Sequence, residues 1–551
     1  MKLLTFIAGY SRRILVLAIV AGVICGACNT VLLVLINQAL QGERGAVMWA
    51  FVAVCLLLPF ARYHSEILLT RLGQGALLDL RVKICRKLLD APLRQIEEIG
   101  PPRVLTALTD DVPVITAALL QIPIICINLV IVVGGLLYMG YLSPFMLATV
   151  LALIVVGVLG YQLPMSRASR HFRRAREATE ELMKAFRALT RGVKELKLHA
   201  RRREAFLATS LEAEAGTVHA SNLRGVVALT AANGWGQAMV FTIIGVTLFV
   251  LPTFQVASAE ALVGYALILL YLMTPMQVLI AAIPALSRAG IAVQRVEDLG
   301  RTLAVEAREA EAGAALPGGW TRLELAGVTH AYRSEGKDDS FLLGPIDLSV
   351  RRGEMIFLVG GNGSGKTTLA KLITGLYTPE SGEIRLDGVP ITDRNRHAYR
   401  QLFSVVFFDF HLFERLIGLD SPELNERARG YLARLQLDHK VKVEGGVLST
   451  TSLSQGQRKR LALLTAYLED RPILLCDEWA ADQDPVFKDV FYRQILPELR
   501  ASGKTILVIS HDDKYYGLAD RVLKMDFGQL VGEQPTAGAR ADEASAAQAW
   551  S

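Results

Sequence analysis

Charge is what long parts of this chain lack. No charged side chain occurs between Ile14 and Gln38 or between Val112 and Ser166, and between Gly225 and Ser287 only Glu260 interrupts. Such runs do not suit a soluble surface, and their lengths suffice for one, two and two bilayer crossings. The uncharged run from Ala46 to Ala61 falls short of the roughly 20 residues a crossing needs, so this span must continue through Arg62, His64 and Glu66. Six spans result, expected at 14–38, 46–70, 113–140, 144–165, 225–251 and 260–286. Basic residues are equally scarce in the turns 41–45, 141–144 and 251–260, where Arg44 stands alone. The connectors 71–111 and 167–224 are rich in them, which predicts a cytoplasmic position for both connectors and both chain ends.

Cysteine is sparse too. Cys25, Cys28, Cys55 and Cys126 fall in expected spans, Cys85 in a connector and Cys476 in an apolar strand, so no disulfide framework is implied. Cys25 and Cys28 form a C-x-x-C, but inside a lipid-crossing run they read as small packing residues. The first helix lacks a small-residue cleavage site at signal-peptide distance and is expected to be retained. The 59 basic against 53 acidic residues cluster beside membrane ends, a positive-inside pattern and not a nucleic-acid footprint.

What is present divides unevenly. Hydrophobic residues make up 52% of the 551 and charged residues still reach 20%, with a mean hydropathy of +0.35, so the charge must be segregated into a second block. We expect a transmembrane domain over 1–300, a linker over 301–319, a second folded domain over 320–533 and a disordered tail over 534–551. Apolar residues at three- and four-residue spacing over 77–89 and 173–198 predict helices that run on beyond the bilayer.

The second block carries a nucleotide signature. A short apolar strand, Met355 to Val359, runs into Gly360-Gly361-Asn362-Gly363-Ser364-Gly365-Lys366-Thr367-Thr368, followed by a helical stretch. Glycines there let backbone amides close around phosphates at a helix N-terminus. Lys366 would reach the outer phosphates and Thr367 would take Mg2+. Downstream, the apolar run 473–476 ends in Asp477-Glu478, two acids at the edge where ligands collect in parallel sheets. Alone, such a pair reads as the start of a solvated loop. With the phosphate loop, Asp477 is the expected magnesium partner and Glu478 the group that polarises water.

Leu453-Ser454-Gln455-Gly456-Gln457, placed between these two motifs, resembles the signature of ABC transporters. The resemblance implies an all-α six-helix transmembrane domain of exporter type followed by an α/β P-loop nucleotide-binding domain, an ATPase coupled to transport. It implies that Ser454, Gly456 and Gln457 complete the ATP site of a second copy of the chain. It also assigns Tyr332 to adenine stacking, His511 to sensing the terminal phosphate and Asp484 to the dimer interface. Without it, Tyr332 and His511 read as packing and loop residues. Residues 88–93 and 105–112 resemble the first cytoplasmic loop of six-span exporters with its short coupling helix, and 194–203 offers a second contact. One position departs from the family: Phe408 stands where a glutamine usually contacts magnesium. Asp409 or water substitutes for it, or an apolar plug couples mechanically.

Residues 408–413 (FDFHLF) and 476–485 (CDEWAADQDP) resemble the cyclic-peptide exporter subfamily, which includes pyoverdine-type siderophore-precursor and microcin exporters. The resemblance implies export of a peptide-derived cargo across the inner membrane. A lipid or lipopeptide flippase, a multidrug exporter, an importer on the same fold and a nucleotide-gated regulator with little turnover are the alternatives. Arg62, His64 and Glu66 are costly in a span; they meet cargo, or an Arg62–Glu66 pair at one-turn spacing merely holds helices, or the position already lies beyond the bilayer edge. Asn233, Trp235 and Gln237 are weaker cargo candidates, better read as interhelical bonds.

Overall fold

The computed structural model describes residues 2–42, 45–254, 259–303, 319–333, 340–419 and 422–535. Most of the expected linker, 304–318, and the tail from 536 lie outside the described residues. The chain divides into two compact units: 1–83 with 105–298, and 84–104 with 299–551.

The first unit is helical. Among the described residues six helices are long and apolar enough to cross a membrane: Ile19–Leu40, Gly45–Asp90, Pro101–Leu142, Pro144–Arg191, Ala200–Thr253 and Ala261–Thr302. The second has 46 residues, which at 1.5 Å per residue gives about 70 Å, more than twice the ~30 Å hydrocarbon layer. The helix expected over 77–89 is thus the continuation of this span, and the one expected over 173–198 is for the most part the continuation of Pro144–Arg191, broken at Gly192, after which Val193–Leu198 is a separate short helix. Small residues let the helices approach. A Cβ added at Gly26 would fall 2.7 Å from Val130, and one at Gly160 would fall 2.5 Å from the Trp235 ring. Interhelical hydrogen bonds add to this packing, from Asn37 to Tyr138 at 2.8 Å and from Tyr271 to Asn29 at 2.8 Å. Leu56, Phe60, Leu137 and Leu163 point outward and leave an apolar surface for lipid. The six cysteines are free.

Among its described residues the second unit contains two larger sheets and a small antiparallel ribbon of Val443–Glu444 with Val447–Leu448. Strands β1 (Arg322–Arg333), β2 (Ser340–Arg351), β4 (Ser381–Leu386) and β5 (Val389–Pro390) form an antiparallel sheet in the order β2-β1-β4-β5. Strands β3 (Met355–Gly360), β6 (Phe403–Val406), β7 (Ile473–Asp477), β8 (Thr505–Ile509), β9 (Arg521–Asp526) and β10 (Gln529–Pro535) form the other, ordered β10-β9-β3-β8-β7-β6. Every pairing in it is parallel except β9 with β10. β7 and β8 are buried along their whole length, so their apolar runs are continuous and do not alternate.

Residues 84–104 belong with this unit for a specific reason. The short helix Leu93–Ile99, lying between the two stretches that resemble an exporter loop, packs Leu93 on the core beneath the phosphate loop. Arg94 pairs with Glu380 at 2.8 Å and Glu97 pairs with Lys371 at 2.7 Å while accepting from the Tyr377 hydroxyl. Tyr377 stacks on the buried His330, whose imidazole pKa is pushed below its ordinary value, mainly by burial. Glu97→Lys sets like charges face to face and should lower hydrogen-exchange protection over 93–99 by about ten-fold. The double exchange Glu97→Lys/Lys371→Glu should restore most of it.

Candidate functional site

The phosphate loop, the acidic pair and His511 come together because β3, β8 and β7 are adjacent and parallel. Ile509 is in register with Leu358 on one side and with Asp477 on the other, so β8 and β7 end level with each other and β3 runs two residues past them into the loop. Ligands collect at such an edge.

The loop leaving β3 folds as its glycines allow. Gly360 and Gly365 have φ of +153° and +98°; a Cβ would meet the Met525 carbonyl oxygen at 2.3 Å in the first case and Leu343 Cδ1 at 2.9 Å in the second. Gly361, Asn362 and Gly363 lie exposed at the tip, while the Ser364 hydroxyl is buried without a partner. Gly365 is the N-cap of the helix Lys366–Ile373, and no side chain caps that end. Its amides are left to an anion. Lys366 is buried, with Nζ 2.9 Å from the carbonyl oxygens of Gly360 and Gly361 and 4.0 Å from Glu478 Oε1. Burial pushes its pKa below the ordinary lysine value, against the pull of Glu478 and Asp477. Thr368, behind the loop, is half-buried.

Thr367 donates its hydroxyl to Asp477 Oδ2 at 2.9 Å. Asp477 is fully buried, and its Oδ1 has no hydrogen-bond partner. Burial pushes its carboxyl pKa up; the Thr367 hydroxyl opposes this and the Glu478 charge adds to it. An orphaned carboxylate oxygen beside a hydroxyl at the phosphate loop fits a divalent cation shared with a nucleotide. Glu478 adopts a left-handed φ of +48°, with its amide donating to the Ile509 carbonyl at 3.0 Å. Its Oε1 lies 3.2 Å from His511 Nε2.

The signature residues sit elsewhere. Ser454 caps the helix Gln455–Glu469, accepting from the Gln457 amide while Gln457 Oε1 accepts from the Ser454 amide, a reciprocal capping box. Gly456 is held close to the segment after the acidic pair. Its carbonyl accepts from Gln483 Nε2 at 2.9 Å, and a Cβ there would meet the Asp482 carbonyl oxygen at 2.6 Å. Asp484 is engaged within its own chain, capping Pro485–Val490 through the Phe487 amide at 2.9 Å and accepting from Arg460 at 2.6 Å. These contacts hold its carboxyl pKa below the usual range, the Phe487 amide foremost and opposed by burial. Tyr332 is placed by its backbone on β1 opposite Phe341, and its side chain lies outside the described residues.

Phe408 is half exposed, and the Lys459 ammonium lies 4.9 Å from its ring centre. Asp409 makes no hydrogen bond or ion pair among the described residues. Lys459 was not legible from sequence: it sits two residues past the signature, and its partners are some twenty residues downstream. In the first unit, Arg62 pairs with Glu66 one turn on at 2.9 Å, both side chains exposed, and His64 bonds the Phe60 carbonyl. Trp235 donates to the Gly157 carbonyl at 3.1 Å, as expected of an interhelical bond.

Residues 343–481 match the ABC transporter family and residues 13–279 match the ABC transporter transmembrane region. The ATP-binding protein SyrD of Pseudomonas syringae pv. syringae is 39% identical over 528 residues, 94% of this chain and 93% of that one. An ATP-dependent lipid A-core flippase of Ralstonia nicotianae is 27% identical over 90% of this chain and 86% of its own. Among solved structures, a bacterial Atm1-family ABC exporter with ATP bound superposes with a TM-score of 0.75 over 98% of both chains, at 18% identity.

Proposed function

Because the chain belongs to the ABC transporter family, as a multi-pass membrane ATPase coupled to transport, we propose that it is a homodimeric exporter of a cyclic or modified peptide, such as a siderophore precursor, across the inner membrane. The ATP domain and both termini lie in the cytoplasm in this reading. The observation that carries the dimer is the split of the site. Lys366, Thr367, Asp477, Glu478 and His511 gather on one strand edge, while Ser454 and Gln457 are turned on each other at an exposed helix start. A second copy would bring its signature to the phosphates that the first copy's loop holds.

In this reading the loop amides from 360 to 368 and the Lys366 ammonium bind the triphosphate, and Tyr332 stacks on the adenine. Thr367 and Asp477 Oδ1 would hold magnesium, which neutralises charge on the phosphate oxygens. Glu478 orients the attacking water and takes its proton; His511, within hydrogen-bond reach of Glu478, fixes that carboxylate and meets the terminal phosphate. Closure of the two copies would move the helix Leu93–Ile99, which the Arg94 and Glu97 pairs fasten to the ATP domain, and the second loop at 194–203 would dock on the other copy.

The peptide cargo rests on the FDFHLF and CDEWAADQDP stretches and on the higher identity to SyrD than to the flippases. The Arg62–Glu66 pair offers a peptide one charge of each sign at an exposed span surface. The discriminating experiment uses sealed proteoliposomes with the ATP domain outward. ATP-dependent accumulation of a radiolabelled cyclic peptide with one basic and one acidic side chain is expected. Movement of a fluorescent phospholipid in place of the peptide would select the flippase.

A further inference from the structure

We propose that Lys459 is a positioning residue for Glu478, and that Phe408 is the aromatic lid that keeps Lys459 in place. The inference rests on Glu478 acting as the base, and it assigns the family's departure at 408 a chemical task.

Lys459 is 1% exposed, among the most deeply buried large side chains of the protein. A buried ammonium is tolerated only where its donors are met. Here Nζ donates to the Glu478 carbonyl at 2.9 Å and to Asp482 Oδ2 at 2.7 Å. A third side is faced by the Phe408 ring, 4.9 Å to its centre, the geometry of a cation–π contact. The ring is 52% exposed, so it stands between the ammonium and solvent. The Lys459 backbone is fixed as well, because its carbonyl accepts from Trp479 Nε1 at 2.7 Å and Trp479 is stacked on Phe491.

The target of this arrangement is strained. A glutamate at φ +48° sits in a left-handed region that costs a non-glycine residue energy and persists only where neighbours hold it. The neighbours are the Ile509 carbonyl, which accepts from the Glu478 amide, and Lys459, which at 2.9 Å is the nearer of the two donors on the Glu478 carbonyl, the other being the Ala481 amide at 3.3 Å. Together they aim the Glu478 side chain at Lys366 and His511. Releasing Lys459 lets that peptide relax and takes the carboxylate off its line. A glutamine at 408 would present an amide to this region; phenylalanine presents a π-face to a cation supplied by the signature helix. Motion of the 408 segment thus reaches the base through Lys459.

The test uses the full-length protein in lipid nanodiscs, with steady-state ATP hydrolysis resolved into kcat and KM. Phe408→Leu keeps the bulk and removes the π-face; kcat should fall about ten-fold with KM for ATP unchanged and with the thermal unfolding temperature preserved. Phe408→Trp, which restores a π-face, should recover turnover to within about two-fold. Lys459→Met should lower kcat at least as far, and adding Phe408→Leu to it should cost nothing more. Wild-type turnover in Phe408→Leu, no recovery in Phe408→Trp, or a rise in KM alone would overturn the proposal. Glu478→Gln is the control for the premise. Loss of turnover there beside an unaffected Phe408→Leu rejects the lid alone, whereas unchanged turnover in Glu478→Gln removes the base and the inference with it.

Discussion

Glu478→Gln should reduce ATP hydrolysis by about 10²- to 10⁴-fold while leaving ATP binding intact, because it removes the proton acceptor and keeps the side chain's shape. Glutamine has the same length and offers His511 a partner across the same 3.2 Å. Its amide sits at the end of the same strand, on a backbone held by Ile509 and Lys459. The phosphate loop, with Lys366 and Thr367, is untouched. The variant should therefore fill with ATP and stay filled. Single-turnover release of labelled phosphate, measured beside equilibrium binding of ATP, separates the two. Turnover within a few-fold of the parent would assign water activation to another group.

Lys366→Met should act on the opposite half of the cycle. The ammonium is 4% exposed and is aimed into the loop by the Gly360 and Gly361 carbonyls at 2.9 Å each. Burial already lowers its pKa, so the charge is kept there at a cost that a bound triphosphate would offset. Methionine preserves the stem and deletes the charge. Losing a desolvated charge-assisted contact of this kind is worth about 2–4 kcal/mol, or roughly 30- to 1,000-fold in Kd for ATP. Isothermal titration with a non-hydrolysable analogue reads this directly. Unchanged affinity would mean that the loop amides alone hold the phosphates. The contrast between a variant that binds without turning over and one that fails to bind distinguishes a catalytic from a binding role on the same strand edge.

The fold was legible because its signals are local. Uncharged runs locate spans, and the glycine loop follows a strand and opens a helix, so Gly360 to Thr367 could be placed without any long-range information. Asp477 and Glu478 were readable for the same reason, at the end of an apolar strand. The rest depends on contacts that sequence spacing does not encode. Arg94 with Glu380, and Glu97 with Lys371, join residues more than 270 positions apart, so the transfer of residues 84–104 to the second unit could not be foreseen from a boundary near 300. Phe408 was visible as a departure, and its partner was not. Lys459 looks like one more base in a helix of bases until Asp482 and the Glu478 carbonyl are seen to surround it. Asp484, expected at a dimer interface, is engaged by Arg460 and the Phe487 amide within a single chain.

The most direct test of a shared nucleotide site is a cross-link between copies. One copy carries Asn362→Cys in the phosphate loop and the other Ser454→Cys at the signature, each also bearing Glu478→Gln, with the exposed native cysteines Cys55 and Cys85 replaced. With ATP and magnesium, a disulfide-linked heterodimer of the two differently tagged copies should accumulate, and it should be absent without nucleotide. Persistence of monomers under both conditions, or a cross-link indifferent to ATP, would contradict closure of two chains around shared triphosphates.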